Sequence, residues 1–246
     1  MKTNYAAGHS QNVSNLNVMN SLIPNFGVSY NPSVQGLTLV ELIKKYQQGK
    51  DAIDAVSAAE VNLKNAIAVR LSSFDGFDDL VTKSSNALKI SGTSTQTLDQ
   101  AQVMVRNLRG KRASDKLTAE EIAAEKEKGN TVAQVTVHNA SFDSKTENFG
   151  KYTLFLASVP DYKPNETDLT IEGLNAKLEE LKTKNNDVVL ADAALTAARQ
   201  TRDEVLYADN TGLVDTALAV KLYVKSIFGA TSAQYKQISN ISFTKF

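Results

Sequence analysis

Two acidic residues sit where a helix should be oily. Glu60 falls within the series Leu39, Leu42, Tyr46, Gly49, Ile53, Val56, Leu63 and Ile67, whose intervals alternate between three and four. That spacing is the seam of a coiled coil. Asp192 falls at the same point of a second series, Ile171, Leu174, Leu178, Leu181, Asn185, Val188 and Leu195, 132 positions later. Carboxylates projecting from facing helices are the donors from which bundles assemble metal centres. That chemistry also wants Glu-x-x-His pairs, and neither His9 nor His138 has a glutamate three residues before it. The competing reading gives each acid a basic partner at the seam edge, where a paired ion can fix helix register. The missing ligand set favours the second reading, so no metal or other cofactor is expected.

The remaining polar candidates divide in the same way. Arg70 and Arg202 close the two series, and Arg199 lies one turn before the latter. Such arginines can clamp a phosphate or carboxylate, but more often the stem covers the seam and the head stays in water. His9 and His138 precede helical stretches at unmatched distances and read as surface histidines. Arg106, Arg109, Lys111 and Arg112, with Lys116 nearby, form the densest basic cluster and the one candidate contact for nucleic acid. Four glutamates follow at once (Glu120, Glu121, Glu125, Glu127), and no aromatic residue interleaves for base stacking. Lys+Arg and Asp+Glu are equal at 27 each, so there is no excess charge to displace counterions from a duplex. The cluster therefore reads as a solvated loop, and no nucleic-acid partner is expected. With no cysteine, a thiol nucleophile, a zinc–thiolate centre and a disulfide framework are excluded. Neither a phosphate-cradling glycine loop nor a nucleophile elbow occurs. No catalytic residue is assigned, and enzymatic activity is not expected.

The elements that carry these residues are written twice. Tyr30-Asn31-Pro32 leads into Leu37-Thr38-Leu39 and Leu42; Tyr162-Lys163-Pro164 leads into Leu169-Thr170-Ile171 and Leu174. Upstream, Leu16, Met19, Leu22 and Ile23 share the spacing of Phe149, Tyr152, Phe155 and Leu156, one helical face in each case. The pattern predicts first helices near 11–23 and 140–158, and long helices near 35–72 and 167–206. Third helices follow, marked by Phe77, Leu80, Val81, Ser84, Ala87 and Leu88, and by Leu213, Ala217, Val220, Val224 and Ile227. Gly92 and Gly229 supply left-handed stops. Shorter helices come next, the first through Leu98, Ala101, Val105 and Leu108, the second capped by Thr231 or Ser232. The expected fold is all-α: an elongated helical bundle of two pseudo-equivalent three-helix units, residues 1–110 and 131–246, joined by a charged linker, 111–130. Within the linker, Thr118 and Glu121 have capping-box spacing. Residues 131–137 and 241–243 alternate like strands and could pair as a minor two-stranded ribbon.

Tyr-x-Pro before a long helix, together with Tyr223-Val224-Lys225-Ser226-Ile227-Phe228-Gly229 and its continuation Ala230-Thr231-Ser232-Ala233-Gln234-Tyr235-Lys236-Gln237, resembles a group of uncharacterised bacterial proteins. These are duplicated, helix-rich chains of similar length, and the resemblance covers most of the sequence. It implies a fold and no activity.

The residues themselves point to a non-enzymatic structural or protein-interaction bundle that self-associates, binding itself or another protein through helical faces. Two other classes compete with it. One is a membrane-active, pore-forming-like helical protein that hides the apolar stretch 213–228, which Lys221 and Lys225 interrupt; the other is the carboxylate metal bundle. No run of about 18 apolar residues occurs, so no stable membrane span is expected. The start has no apolar signal region, and a cytoplasmic location is expected.

Overall fold

The structure is a computed structural model that describes residues 5–110, 118–129 and 141–246. These residues are helical, with no strand among them. The helices are α1 (Tyr5–Leu22), α2 (Leu39–Ser73), α3 (Phe77–Ile90), α4 (Thr95–Leu108), α5 (Ala119–Glu127), α6 (Phe142–Ala157), α7 (Ile171–Tyr207), α8 (Leu213–Phe228) and α9 (Ala233–Ser239). Two short 3-10 turns, Ile23–Ser29 and Gln35–Leu37, lie between α1 and α2. Side-chain caps fix the starts of α4, α5, α6 and α9. Ser94, Ser141 and Ser232 each accept the backbone N–H three residues on, and Thr118 and Glu121 close a reciprocal capping box at the start of α5. The backbone turns left-handed at Gly92 and takes positive φ at Gly229, ending α3 and α8 where the sequence predicts. Residues 131–137 lie outside the described residues. The other half of the expected ribbon, 241–243, carries no strand.

Compact packing does not follow the halves of the sequence. One unit comprises Met1–Asn65 with Leu190–Phe246, and the other comprises Ala66–Val189. The expected division into 1–110, a linker and 131–246 is therefore not how the chain packs. Both unit boundaries fall inside the long helices α2 and α7, because each of these helices begins in one core and ends in the other.

In the first unit, Val13, Leu16, Met19, Ile23, Phe26 and Leu42 are buried against Leu206, Leu213, Val214, Ala217, Val220, Val224 and Ile238. Here α1 packs on α8 and α9. In the second unit, Phe77, Val81, Leu88, Ala101, Val105 and Leu108 are buried with Phe149, Tyr152, Leu156, Leu174, Leu178 and Leu181. There α4 packs on α6 and on α3. The long helix does meet the helix before it in each core, as expected. The helix after it serves the opposite core from the one in which the long helix starts.

Seam burial also lapses along the middle of both long helices. No residue from 57 to 72 and none from 186 to 194 is buried, and Ile67 is 42% exposed. The heptad pattern continues through stretches that neither core covers.

Candidate functional site

The start of each long helix is fixed by the same device. The Tyr30 hydroxyl donates to the Leu37 carbonyl at 2.6 Å, and the Tyr162 hydroxyl donates to the Leu169 carbonyl at 2.8 Å. Thr38 Oγ1 and Thr170 Oγ1 donate back to the carbonyls of Gln35 and Thr167, each at 2.9 Å. The proline two residues after each tyrosine holds the chain extended, so the ring folds over the turn and its hydroxyl reaches the last carbonyls before the helix. Burial pushes both phenols well above the usual tyrosine range, which keeps them protonated donors.

With α7 positioned in this way, a groove opens between it and α6, entirely within the second unit. Its volume is about 830 Å³, and its lining includes Thr146, Gly150, Leu154, Leu178, Asn185 and Val189. The groove follows from departures between the matched stretches. Where α1 and α2 have Asn17 and Tyr46, α6 and α7 have Gly150 and Leu178, both smaller. Where the first unit has the apolar positions Val13 and Ile53, the second has Thr146 and Asn185, joined by a 3.1 Å hydrogen bond from Asn185 Nδ2 to Thr146 Oγ1. Asn185 Oδ1 is buried without a partner. At the rim, Ser21 and Ser57 are replaced by Leu154 and Val189, which are 72% and 63% exposed. The charges on this surface are matched within each helix: Lys151 pairs with Glu147 at 2.7 Å, and Lys182 pairs with Glu179 at 2.7 Å. A rim of exposed aliphatics flanked by internally paired charges offers shape and apolar area, and no group poised for proton transfer or nucleophilic attack.

Glu60 does find a basic partner, Arg199, at 3.0 Å, with both side chains about half exposed. Asp192 is exposed. The residue 132 positions before Arg199 is Ile67, so the sequence provides no matching arginine for Asp192. Among the described residues, no three His, Asp or Glu side chains gather as a metal-binding group. Arg70 lays its guanidinium over the Phe142 ring, 4.5 Å from the centroid, while its Nε is buried without a hydrogen bond. Arg202 is turned onto its neighbour Asp203 at 2.7 Å.

His9 corrects the surface reading: it is 6% exposed, accepts or donates a 2.5 Å hydrogen bond with the Tyr207 hydroxyl, and faces the ring of Phe246 edge-on. Burial first, then Arg202, holds its pKa below the usual imidazole value. The spacing argument missed it because its partners lie about two hundred residues away in sequence. His138 lies outside the described residues.

The basic cluster is likewise not a loop where it is described. Arg106 lies in the last turn of α4, and Arg109 caps that helix, its Nη2 donating to Thr82 Oγ1 of α3 at 2.6 Å. Lys111 and Arg112 lie outside the described residues.

In α8, Lys221 turns its ammonium onto the carbonyls of Ser239 and Ile241, beyond which the chain lies along α1. There Asn12 exchanges hydrogen bonds with both backbone groups of Thr244, at 2.7 and 3.0 Å. The lysine that interrupts the apolar stretch thus closes the carbonyl end of α9. No helix among the described residues is long and apolar enough to cross a membrane. No known protein family, curated protein or solved structure matches the chain.

Proposed function

We propose that the chain is a non-enzymatic interaction protein, a helical bundle that associates through the α6–α7 surface, with a second copy of itself as the partner. The observation that carries this reading is the pair Leu154 and Val189, aliphatic and exposed at positions where the matched stretch of the chain has serines. Exposed apolar groups gathered on a concave surface favour association because burying them removes them from water. The polar flank of the groove carries both signs of charge: Asp143, Glu147 and Glu179 against Lys151 and Lys182. A flank of mixed, internally paired charge presents no single-sign barrier to a second copy. The formal net charge of zero leaves little long-range repulsion between copies.

Size-exclusion chromatography with light scattering over a concentration series is the test. A dimer that Leu154→Glu or Val189→Glu converts to a folded monomer is the expected result. A wild-type chain that stays monomeric at the highest concentrations defeats the self-association reading.

A further inference from the structure

A second cavity, of about 400 Å³, lies between α3 and α4. Three of its lining residues are cationic: Lys89 at the end of α3, and Arg106 and Arg109 at the end of α4. No carboxylate lines it, and none of the three cations makes an ion pair among the described residues. The acids of the same helices (Asp78, Asp79 and Asp99) are not in its lining. The neutral lining is also rich in hydrogen-bonding groups, with Thr82, Ser85, Asn86 and Gln102. Ser85 is 8% exposed, and Lys89 Nζ donates to Asn86 Oδ1 at 3.3 Å along the same wall.

Positive charge near a helix C-terminus is favourable by itself, because it faces the negative end of the dipole. That accounts for one basic residue at the end of each helix. It does not account for three of them lining one concavity that has no carboxylate in its wall. Like charges lining one concavity repel one another, and an anion bound between them offsets that repulsion. The Arg109–Thr82 bond holds one guanidinium edge in place and leaves its other N–H groups for a ligand. Arginine forks match the oxygens of phosphate, and charge-assisted bonds of this kind are the strong ones.

We infer that the α3–α4 cleft binds a small tetrahedral oxyanion of the phosphate class, held by Arg106, Arg109 and Lys89 with the Ser85 hydroxyl as an added donor. The cavity has room for a phosphate monoester of modest size, so the anion can be free or carried on a small molecule. This site is separate from the α6–α7 groove, and its failure would leave the association proposal standing.

The experiment is isothermal titration of the full chain with inorganic phosphate, then with sulfate, at constant ionic strength set by sodium chloride. Saturable one-to-one binding is expected, weakened about tenfold by Arg106→Gln and again by Arg109→Gln. Lys89→Gln, a change at an exposed position, repeats the test if either arginine variant loses its helical circular dichroism. Absence of saturable heat with both anions overturns the inference, as does binding that the cleft variants leave unchanged. A short single-stranded RNA that binds with a steep salt dependence while inorganic phosphate does not would also overturn it, replacing a small-anion site with a backbone-tracking surface.

Discussion

Cutting the chain after Gly129 should abolish folding of both pieces and restore it when they are mixed. Each core draws on both halves, so neither fragment, 1–129 or 130–246, contains a complete one. Fragment 1–129 keeps Leu16, Met19 and Leu42 but loses Leu206, Leu213, Val220, Val224 and Ile238 from the same core. Withdrawing five large aliphatic partners at about 1.5–3 kcal/mol each removes roughly 8–15 kcal/mol of burial. A whole domain of ordinary stability holds only about 5–15 kcal/mol in reserve. The second core suffers in parallel, because α3 and α4 lose the face of α6 that buries Phe149, Tyr152 and Leu156. Far-ultraviolet circular dichroism and size-exclusion chromatography of each fragment, alone and at one-to-one mixing, read the outcome. The expected result is weak, non-cooperative helicity for each alone and recovery of cooperative melting on mixing. Cooperative two-state melting of either fragment by itself would show that its helices pack within their own half, and the crosswise assembly would be wrong.

Two further perturbations test the polar devices that hold each unit. Tyr162→Phe leaves the buried Leu169 carbonyl without its phenol donor and should cost about 1–3 kcal/mol, whereas Tyr30→Phe, over a half-buried carbonyl, should cost about 0.5–1.5 kcal/mol. Urea midpoints measure both, and the reverse order would count against burial as the cause. His9 resists protonation in the folded chain because it is buried, while the unfolded imidazole takes its proton near about pH 6.5. Its contribution is therefore complete above that pH and is lost as the pH falls through the lower folded value. Between pH 7 and pH 5 the wild type should lose more stability than His9→Gln; equal losses would remove His9 from the acid response.

The helices were legible in the sequence because their signals are local. The Ser232 cap, the Thr118–Glu121 box, Gly92 and Gly229 each act within a turn, and the paired Tyr-x-Pro turns announce where the long helices begin. Which helix packs on which was not legible. Phe77, Val81, Ser84 and Leu88 share the intervals of Leu213, Ala217, Val220 and Val224, and all eight are buried. Two stripes so alike fit either core equally well by periodicity, and chain order alone favoured the nearer one. The basic cleft escaped for a similar reason. Arg106 and Arg109 were visible as a charge cluster, but Lys89 and Ser85 join them only because α3 packs beside α4. The seam pattern overreached at Ile67, since heptad spacing reports which face is apolar and not whether anything covers it.

The differences between the matched stretches say more about function than their agreement does. At Val13 and Ile53 the first unit adds apolar side chains to its core. At the corresponding positions of the second unit, Thr146 and Asn185 satisfy one another only in part, and Asn185 Oδ1 is left buried without a partner. An unsatisfied buried acceptor costs about 1–3 kcal/mol, and exposing Leu154 and Val189 in place of serines forgoes further burial. Each change moves away from the most stable fold, and all of them border one groove. The same unit places three cations, without an ion pair among the described residues, around the α3–α4 cleft. The gathering of these departures on one groove is what the association proposal rests on. The second unit is therefore where partners and ligands of this chain should be sought.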